Sequence, residues 1–243
     1  MRHAIDLPVG FPVPGWTPRP RPSRAPMAGR WCRLEPLDPG RHARLLFEAY
    51  SLDAAQLNWT YLSVGPFGTP DEYTRWVEKA AQSEDPLFHA VVDAESEAAA
   101  GVAAFLRIDP ANGVIEIGHL NFSPRLQRTR AATEAIALML RRAFDELGYR
   151  RVEWKCDSLN AASRRAAERF GFTFEGVFRQ AMVYKGRNRD TAWYSIVDRE
   201  WPPLRAAFEA WLAPENFDEQ GRQRRRLAEF RKISAEEGSG QQA

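Results

Sequence analysis

A β-rich segment over residues 114–122 is followed, after a short loop, by the strongest amphipathic helical pattern of the chain, over 131–147. In that pattern Ala132, Ala135, Ile136, Met139, Leu140, Ala143, Phe144 and Leu147 recur at the i, i+3, i+4, i+7 spacing of one buried stripe, and Arg141, Arg142, Asp145 and Glu146 take the other side. Gly148 supplies the left-handed residue that ends such a helix. The loop between them carries Arg125, Arg128 and Arg130. A helix N-terminus points unpaired backbone N–H groups and the positive end of its dipole at whatever precedes it. Strand, basic loop and long helix in this order predict an α/β unit with a phosphate-type anion site at the loop. On spacing alone, an ordinary turn with solvated arginines accounts for the same residues equally well.

The remaining elements flank this unit. Pro8, Pro12, Pro14, Pro18, Pro20, Pro22 and Pro26 make residues 1–29 an extended, polyproline-like arm, with order beginning near Arg30. Trp31, Arg33 and Glu35 alternate with Cys32, Leu34 and Leu37 as a first strand, which Asp38-Pro39-Gly40 breaks; 42–50 is a short helix. Residues 58–69 form a loop rich in aromatics, and a second helix opens behind it with Thr69 as N-cap and Pro70 in the first turn. Segments 87–92, 100–107 and 114–122, joined by turn residues, predict an antiparallel meander. Beyond the long helix come a strand at 151–155, a helix at 160–170 stopped by Gly171, a hairpin of 172–184 with 191–197, and a helix at 202–212. From Pro214 the chain carries Arg222, Arg224, Arg225, Arg226, Arg231 and Lys232, which predicts a solvated helix fraying into disorder, with an anion or polynucleotide contact as the alternative. The expected organisation is therefore an arm (1–29), one α/β domain (30–213) and a charged, partly helical tail (214–243).

Composition narrows the function classes. A chain of 243 residues, 44% hydrophobic and 27% charged, suits one good-sized soluble domain with extensions. A net charge of +2 argues against wholesale nucleic-acid binding. No apolar run approaches the roughly 18 residues of a membrane span, and the proline-broken N-terminus shows no export signal. Cys32 and Cys156 lack a CxxC partner, and His3, His42, His89 and His119 lack metal spacing, so a reduced, metal-free, cytoplasmic protein is expected.

Three segments carry more specific information. The first is Gln127-Arg128-Thr129-Arg130-Ala131-Ala132, continued by Thr133-Glu134-Ala135. The second is Asn160-Ala161-Ala162-Ser163, running to Glu168-Arg169-Phe170-Gly171-Phe172. The third joins Phe174-Glu175-Gly176-Val177-Phe178-Arg179 to Gly186-Arg187-Asn188-Arg189-Asp190 and Trp193-Tyr194-Ser195-Ile196. In this order they resemble the GNAT N-acetyltransferases, especially the RimJ/RimL-type group that acetylates protein N-terminal amines. The resemblance covers roughly residues 30–202. It implies the GNAT acyl-CoA N-acyltransferase fold: a mixed α/β architecture whose mostly antiparallel, twisted sheet has helices on both faces. It also implies acetyl-CoA as co-substrate and no metal. The family loop Q/R-x-x-G-x-G/A holds the pyrophosphate, which carries that role to Gln127, Arg128, Thr129, Arg130, Ala131, Ala132 and Thr133. Asn121, Phe122 and Ser123 would hydrogen-bond the pantetheine like an added strand, and Asn160 would lie beside it. Arg130 departs from the pattern: it stands where the first glycine is usual, and its side chain either restricts backbone approach or lies against the phosphates.

Acetyl transfer needs a neutral amine, a polarised thioester carbonyl and a proton for the leaving thiolate. Many relatives place a tyrosine acid where this chain has Ala167; RimL-type members have a serine three residues after the asparagine, which makes Ser163 the candidate acid here. Glu116 has the offset from Gln127 of the base in GNAT histone acetyltransferases, with a structural, arginine-paired carboxylate as its plain alternative. His119, of ordinary pKa ~6.5, competes as base. The glutamate that RimL-type enzymes use is replaced by Met182. The acceptor would enter past Trp59, Tyr61 and Phe67, with Tyr184, Asp190 and Tyr194 opposite, although loop aromatics are more often core material. The expected acceptor is a protein N-terminal amine. A small-molecule amine, succinyl-CoA as donor beside Arg179 or Arg187, and a non-catalytic CoA-binding regulatory module are the alternatives, and a homodimer is left open.

Overall fold

The structure, a computed structural model, describes residues 7–240, with side chains as far as Ser234. Short β1 (Met27–Ala28) and β2 (Cys32–Pro36) lead into β3 (Leu87–Asp93), β4 (Ala99–Asp109) and β5 (Val114–Phe122), the antiparallel meander that the turn chemistry predicts. β6 (Arg151–Asp157) joins β5 in parallel, and the hairpin of β7 (Thr173–Tyr184) and β8 (Arg187–Val197) completes an eight-stranded sheet of order β1-β2-β3-β4-β5-β6-β8-β7. α1 (Pro39–Tyr50) and α2 (Pro70–Gln82) bury Leu46, Tyr50, Tyr73 and Val77 against one face. α3 (Arg130–Arg141), α4 (Ala161–Phe170) and α5 (Trp201–Leu212) bury Ile136, Met139, Phe170 and Phe208 against the other. This is the mixed α/β sheet with helices on both faces that the resemblance implies.

Local chemistry sets the element ends. Asp38 ends β2 by starting α1: its side chain accepts from Arg41 N at 2.8 Å, and Pro39 fills the first turn. Thr69 caps α2 as expected, accepting from Glu72 N at 3.2 Å. The long helix differs from expectation, because α3 ends at Arg141 and Arg142–Glu146 form a π-helical turn. There the Arg142 guanidinium donates to the carbonyls of Ala25 (3.3 Å) and Pro26 (3.1 Å), holding the arm against the domain.

Order begins before Arg30. Met27 and Ala28 pair with Leu34 and Arg33, and the Trp16 indole donates to Ala111 O at 2.8 Å. The first six residues of the expected arm and the last three of the tail lie outside the described residues. The tail is not simply solvated: after α5 comes a tight turn bridged by Phe217 and Gln223, then α6 (Leu227–Gly240), packed on α5. Phe217 and Leu227 are buried anchors, two apolar side chains lost to view among the tail's charges.

The feature that positions the site lies mid-sheet. β5 and β6 are in register only at Val114–Arg151, Ile115–Val152 and Glu116–Glu153. Past Glu116 they part, so residues 117–122 and 154–157 flank an opening. A bulge distorts β5 there: Ala104 faces Gly118, Val102 faces Asn121, and His119 has a φ of 48°.

Candidate active site

The loop before α3 is built by its own backbone. Ser123 O accepts from Leu126 N (2.9 Å) and Gln127 N (3.0 Å), turning the chain out of β5, and buried Leu126 pins the loop to the core. Arg128 takes the left-handed region at φ 63°. Thr129 caps α3, its Oγ1 accepting from Ala132 N at 3.1 Å and donating to Leu126 O at 2.7 Å. Among the described residues the N–H groups of Arg128, Arg130 and Ala131 have no partner. With the exposed side chains of Arg125 and Arg128 beside them, they form a cationic end that fits a diphosphate.

The Arg130 side chain turns toward the N-terminal segment. Its guanidinium stacks on Trp31, 3.7 Å from the ring centroid. Gln127 is a brace: its amide donates to Asn58 Oδ1 (2.9 Å) and Phe122 O (2.8 Å), tying the loop after α1 to the end of β5. Asn58 Nδ2 donates to Phe122 O as well, at 3.1 Å, and Tyr50 OH donates to Asn121 O at 2.8 Å. The carbonyls of Asn121 and Phe122, expected to meet the pantetheine, are thus held by side chains of the protein. Thr133 faces α4, where Arg169 donates to its Oγ1 at 3.1 Å. Glu134 has a role that no spacing signalled: its buried carboxylate accepts from the N–H groups of Arg30 (2.8 Å), Trp31 (2.6 Å) and Cys32 (2.8 Å). A β-carbon on Gly29 would run into that carboxylate, so a larger residue there would push Glu134 off its three donors.

At the opening the candidate acid and bases separate. Asn160 caps α4, its Oδ1 accepting from Ser163 N at 3.0 Å. Ser163 Oγ accepts from the Trp154 indole at 2.9 Å, which leaves its own proton to donate. Glu116 is 3% exposed and pinned by Arg107 Nη1 (2.6 Å) and Lys155 Nζ (3.2 Å). Lys155 continues to Glu153 (2.6 Å), Glu153 to Arg151 (2.8 Å), and Arg151 to Glu175, a ladder of alternating charge across the strands. Burial pushes the Glu116 carboxyl up while the two cations pull it back. It is the arginine-paired carboxylate, not the free base expected. His119 stacks on Trp76 (5.6 Å, 15°) and meets Phe88 edge-on; burial pushes its pKa down to about 4, so it is neutral and a poor base at pH 7.

Of the residues expected to line the acceptor's path, Trp59 and Tyr194 are core and Phe67 is half-buried against it. Trp59 packs among Tyr50, Phe67 and Tyr73, and Phe67 against Tyr73 and Trp76. Tyr194 is fully buried on the opposite face, because β8 alternation sends it inward with Ala192 and Ile196. Its hydroxyl sits between Arg164 (3.1 Å) and Glu168 (3.3 Å). Tyr61 and Tyr184 do reach the opening, donating to Leu159 O (3.2 Å) and Asp157 Oδ2 (2.9 Å). Burial and the Asp157 carboxylate push the Tyr184 phenol up to about 12. Asp190 braces a bulge of β7, accepting from Gln180 N at 2.7 Å. Lys185, which sequence reasoning passed over, crosses from the hairpin tip to Trp59 O at 2.7 Å. The two-residue turn Lys185-Gly186, with φ of 48° and 70°, was its visible signal.

The acetyltransferase (GNAT) domain family matches residues 32–173. A crystal structure of a GCN5-related N-acetyltransferase from Brucella melitensis superposes with a TM-score of 0.89, at 55% identity over 90% of this chain and 100% of that one. A probable acetyltransferase (GNAT family) from Chromobacterium violaceum superposes with a TM-score of 0.74, at 45% identity over 80% of this chain and 97% of its own. The curated Bacillus subtilis protein named "Putative ribosomal N-acetyltransferase YdaF" is 31% identical over 101 residues, 42% of this chain and 55% of that protein. The chain spans about half the length of the curated relatives it matches.

Proposed function

The chain belongs to the GNAT acetyltransferase family, and from that premise we propose that it moves the acetyl group of acetyl-coenzyme A to the N-terminal α-amine of a protein. The observation that carries this reading is the parting of β5 and β6 beside the unpartnered N–H groups at the start of α3. The loop supplies the diphosphate site, and the opening gives the thioester arm a way to the acceptor side. Acetyl-CoA supplies an activated acyl carbon. The chain's own task is to hold it, exclude water and deliver a proton to the departing sulfur, for which Ser163 is the donor. The amine nitrogen attacks the thioester carbon, the C–S bond breaks as the C–N bond forms, Ser163 protonates the departing sulfur, and the surplus ammonium proton returns through solvent to Ser163.

The surroundings of Glu116 and His119 bear on the acceptor. With neither available as a base at neutral pH, the amine has to arrive already neutral. An α-amine of pKa ~8 is roughly a tenth neutral at pH 7, whereas a lysine amine of pKa ~10.4 is neutral in fewer than about one molecule in a thousand. This supports an N-terminal amine over lysine or a polyamine, and the name of YdaF points the same way. We place the reaction in the cytoplasm, which suits the free, buried Cys32 and Cys156.

A second reading is a small amine that carries an anionic group. The loop over 58–69 has no charged side chain, while the facing hairpin carries Arg179, Lys185, Arg187 and Arg189 against Asp190. The same cations would suit succinyl-CoA as donor. The test is acetyl transfer to peptides with free or blocked α-amines, read by peptide mass and by thiol release. Acetylation confined to free α-amines is the expected result. Transfer only to small acidic amines would favour the second reading, and no thiol release with any acceptor would leave a CoA-binding module.

A further inference from the structure

The segment after Pro214 lies outside the residues that the GNAT family matches, 32–173, yet specific contacts hold it. Buried Asn216 donates through Nδ2 to Trp211 O (2.9 Å) and Arg225 O (3.2 Å), and its Oδ1 accepts from Arg225 N at 2.9 Å. Asn216 O accepts from Arg224 N at 2.6 Å, and Trp211 Nε1 donates to Gln223 Oε1 at 2.9 Å. The result is a fixed turn over 217–226 that displays Arg222, Arg224, Arg225 and Arg226.

This turn sits against the first residue of α3. Phe217 packs edge-on against Trp31, with ring centroids 6.0 Å apart, and the Arg130 guanidinium lies 3.7 Å from the Trp31 ring centroid and 5.7 Å from that of Phe217. A β-carbon on Gly221 would lie 4.0 Å from Arg130 Nη1. Arg222 is paired with Asp218 at 2.8 Å and Arg225 with Glu229 at 3.8 Å. Arg125, Arg128, Arg224 and Arg226 have no carboxylate within 4.0 Å among the described residues. Unpaired guanidinium groups on a surface are ready partners for a polyanion.

Resting on the acetyl-CoA reading above, we propose that the tail turn is the second wall of the nucleotide site and that Arg224 and Arg226 bind the 3′-phosphate of coenzyme A. The diphosphate belongs to the loop before α3, and the 3′-phosphate is the next anion along the molecule. It is a phosphomonoester with close to two negative charges, the kind of group that guanidinium forks grip.

Calorimetric titration of the full chain with CoA and with 3′-dephospho-CoA tests this. CoA is expected to bind about tenfold or more tighter, as removal of a charge-assisted pair implies. In the Arg224→Gln/Arg226→Gln double variant that ratio falls to about threefold or less, with the affinity for dephospho-CoA kept. Arg224 Nε also donates to Phe217 O at 3.4 Å, so Arg226→Gln alone serves as the variant that leaves the turn intact and lowers the ratio in part. Equal binding of the two ligands by the unaltered protein, or a ratio that survives the double substitution, overturns the proposal. Binding of neither ligand would overturn the acetyl-CoA reading itself.

Discussion

Ser163, Glu116 and His119 all lie near the opening, and their partners assign them different work. Ser163 takes a hydrogen bond from Trp154 and keeps its own proton, so Ser163→Ala should lower kcat by about a hundredfold or more, the usual effect of a lost general acid. The same change should cost about 1 kcal/mol of stability from the orphaned indole N–H, read by denaturant unfolding. Glu116 is the reverse case. Removing its charge takes a partner from half-exposed Arg107 and leaves buried Lys155 with Glu153 alone, so Glu116→Gln should cost about 2 kcal/mol of stability. A lost base would cost about a hundredfold or more in kcat; a change within about threefold is expected if the carboxylate is structural. The histidines give a pH test. Burial holds both His89 and His119 at about 4 in the folded chain, below the ordinary 6.5. Unfolding therefore takes up protons between these values. Stability is complete above pH ~6.5 and falls as pH drops toward 4, by up to about 3 kcal/mol for each histidine. Potentiometric measurement of proton uptake on unfolding at pH 5 should return close to two protons from this pair, and His119→Phe should remove one.

At the scale of elements, α3 links the cofactor loop, the N-terminal junction and the tail. Thr129→Ala removes its cap and should cost about 1 kcal/mol, with Thr129→Ser nearly neutral, as read by thermal unfolding. Glu134→Ala orphans three backbone donors at the start of β2 and should cost about 3 kcal/mol or more, with hydrogen exchange at Trp31 and Cys32 speeding up first. The stripe from Ala132 to Leu140 and the Thr69 cap were legible in the sequence, because helix periodicity and capping are short-range effects, while the capping roles of Thr129 and Asn160 came from the structure. The three-residue reach of Glu134 and the stacking of Arg130 on Trp31 were not, since both join positions a hundred residues apart. Arg130 illustrates the difference: its departure from the family's loop pattern raised the possibility of a blocked loop, and only the packing shows where the side chain goes.

Over the whole molecule, the order β3-β4-β5 followed from turn chemistry, and the family resemblance carried the rest. The aromatic loop was harder to read. Trp59 and Phe67 look like surface residues between prolines and glycines, but Trp59 fills the core under α1 and α2 with Tyr50 and Tyr73, and Phe67 packs half-buried at its edge. The tail misled for the opposite reason, because its charges outnumber the two buried anchors that dock it. The function proposed above gives the loop, the opening and the tail one ligand, a long polyanionic thioester. Calorimetric titration of the purified chain with acetyl-CoA tests that most directly. The account predicts micromolar binding that weakens when Arg128→Ala removes charge at the loop or Gln127→Ala releases its brace on Phe122 and Asn58. No binding of acetyl-CoA, CoA or succinyl-CoA would contradict it, and would mean that the loop before α3 is an ordinary turn.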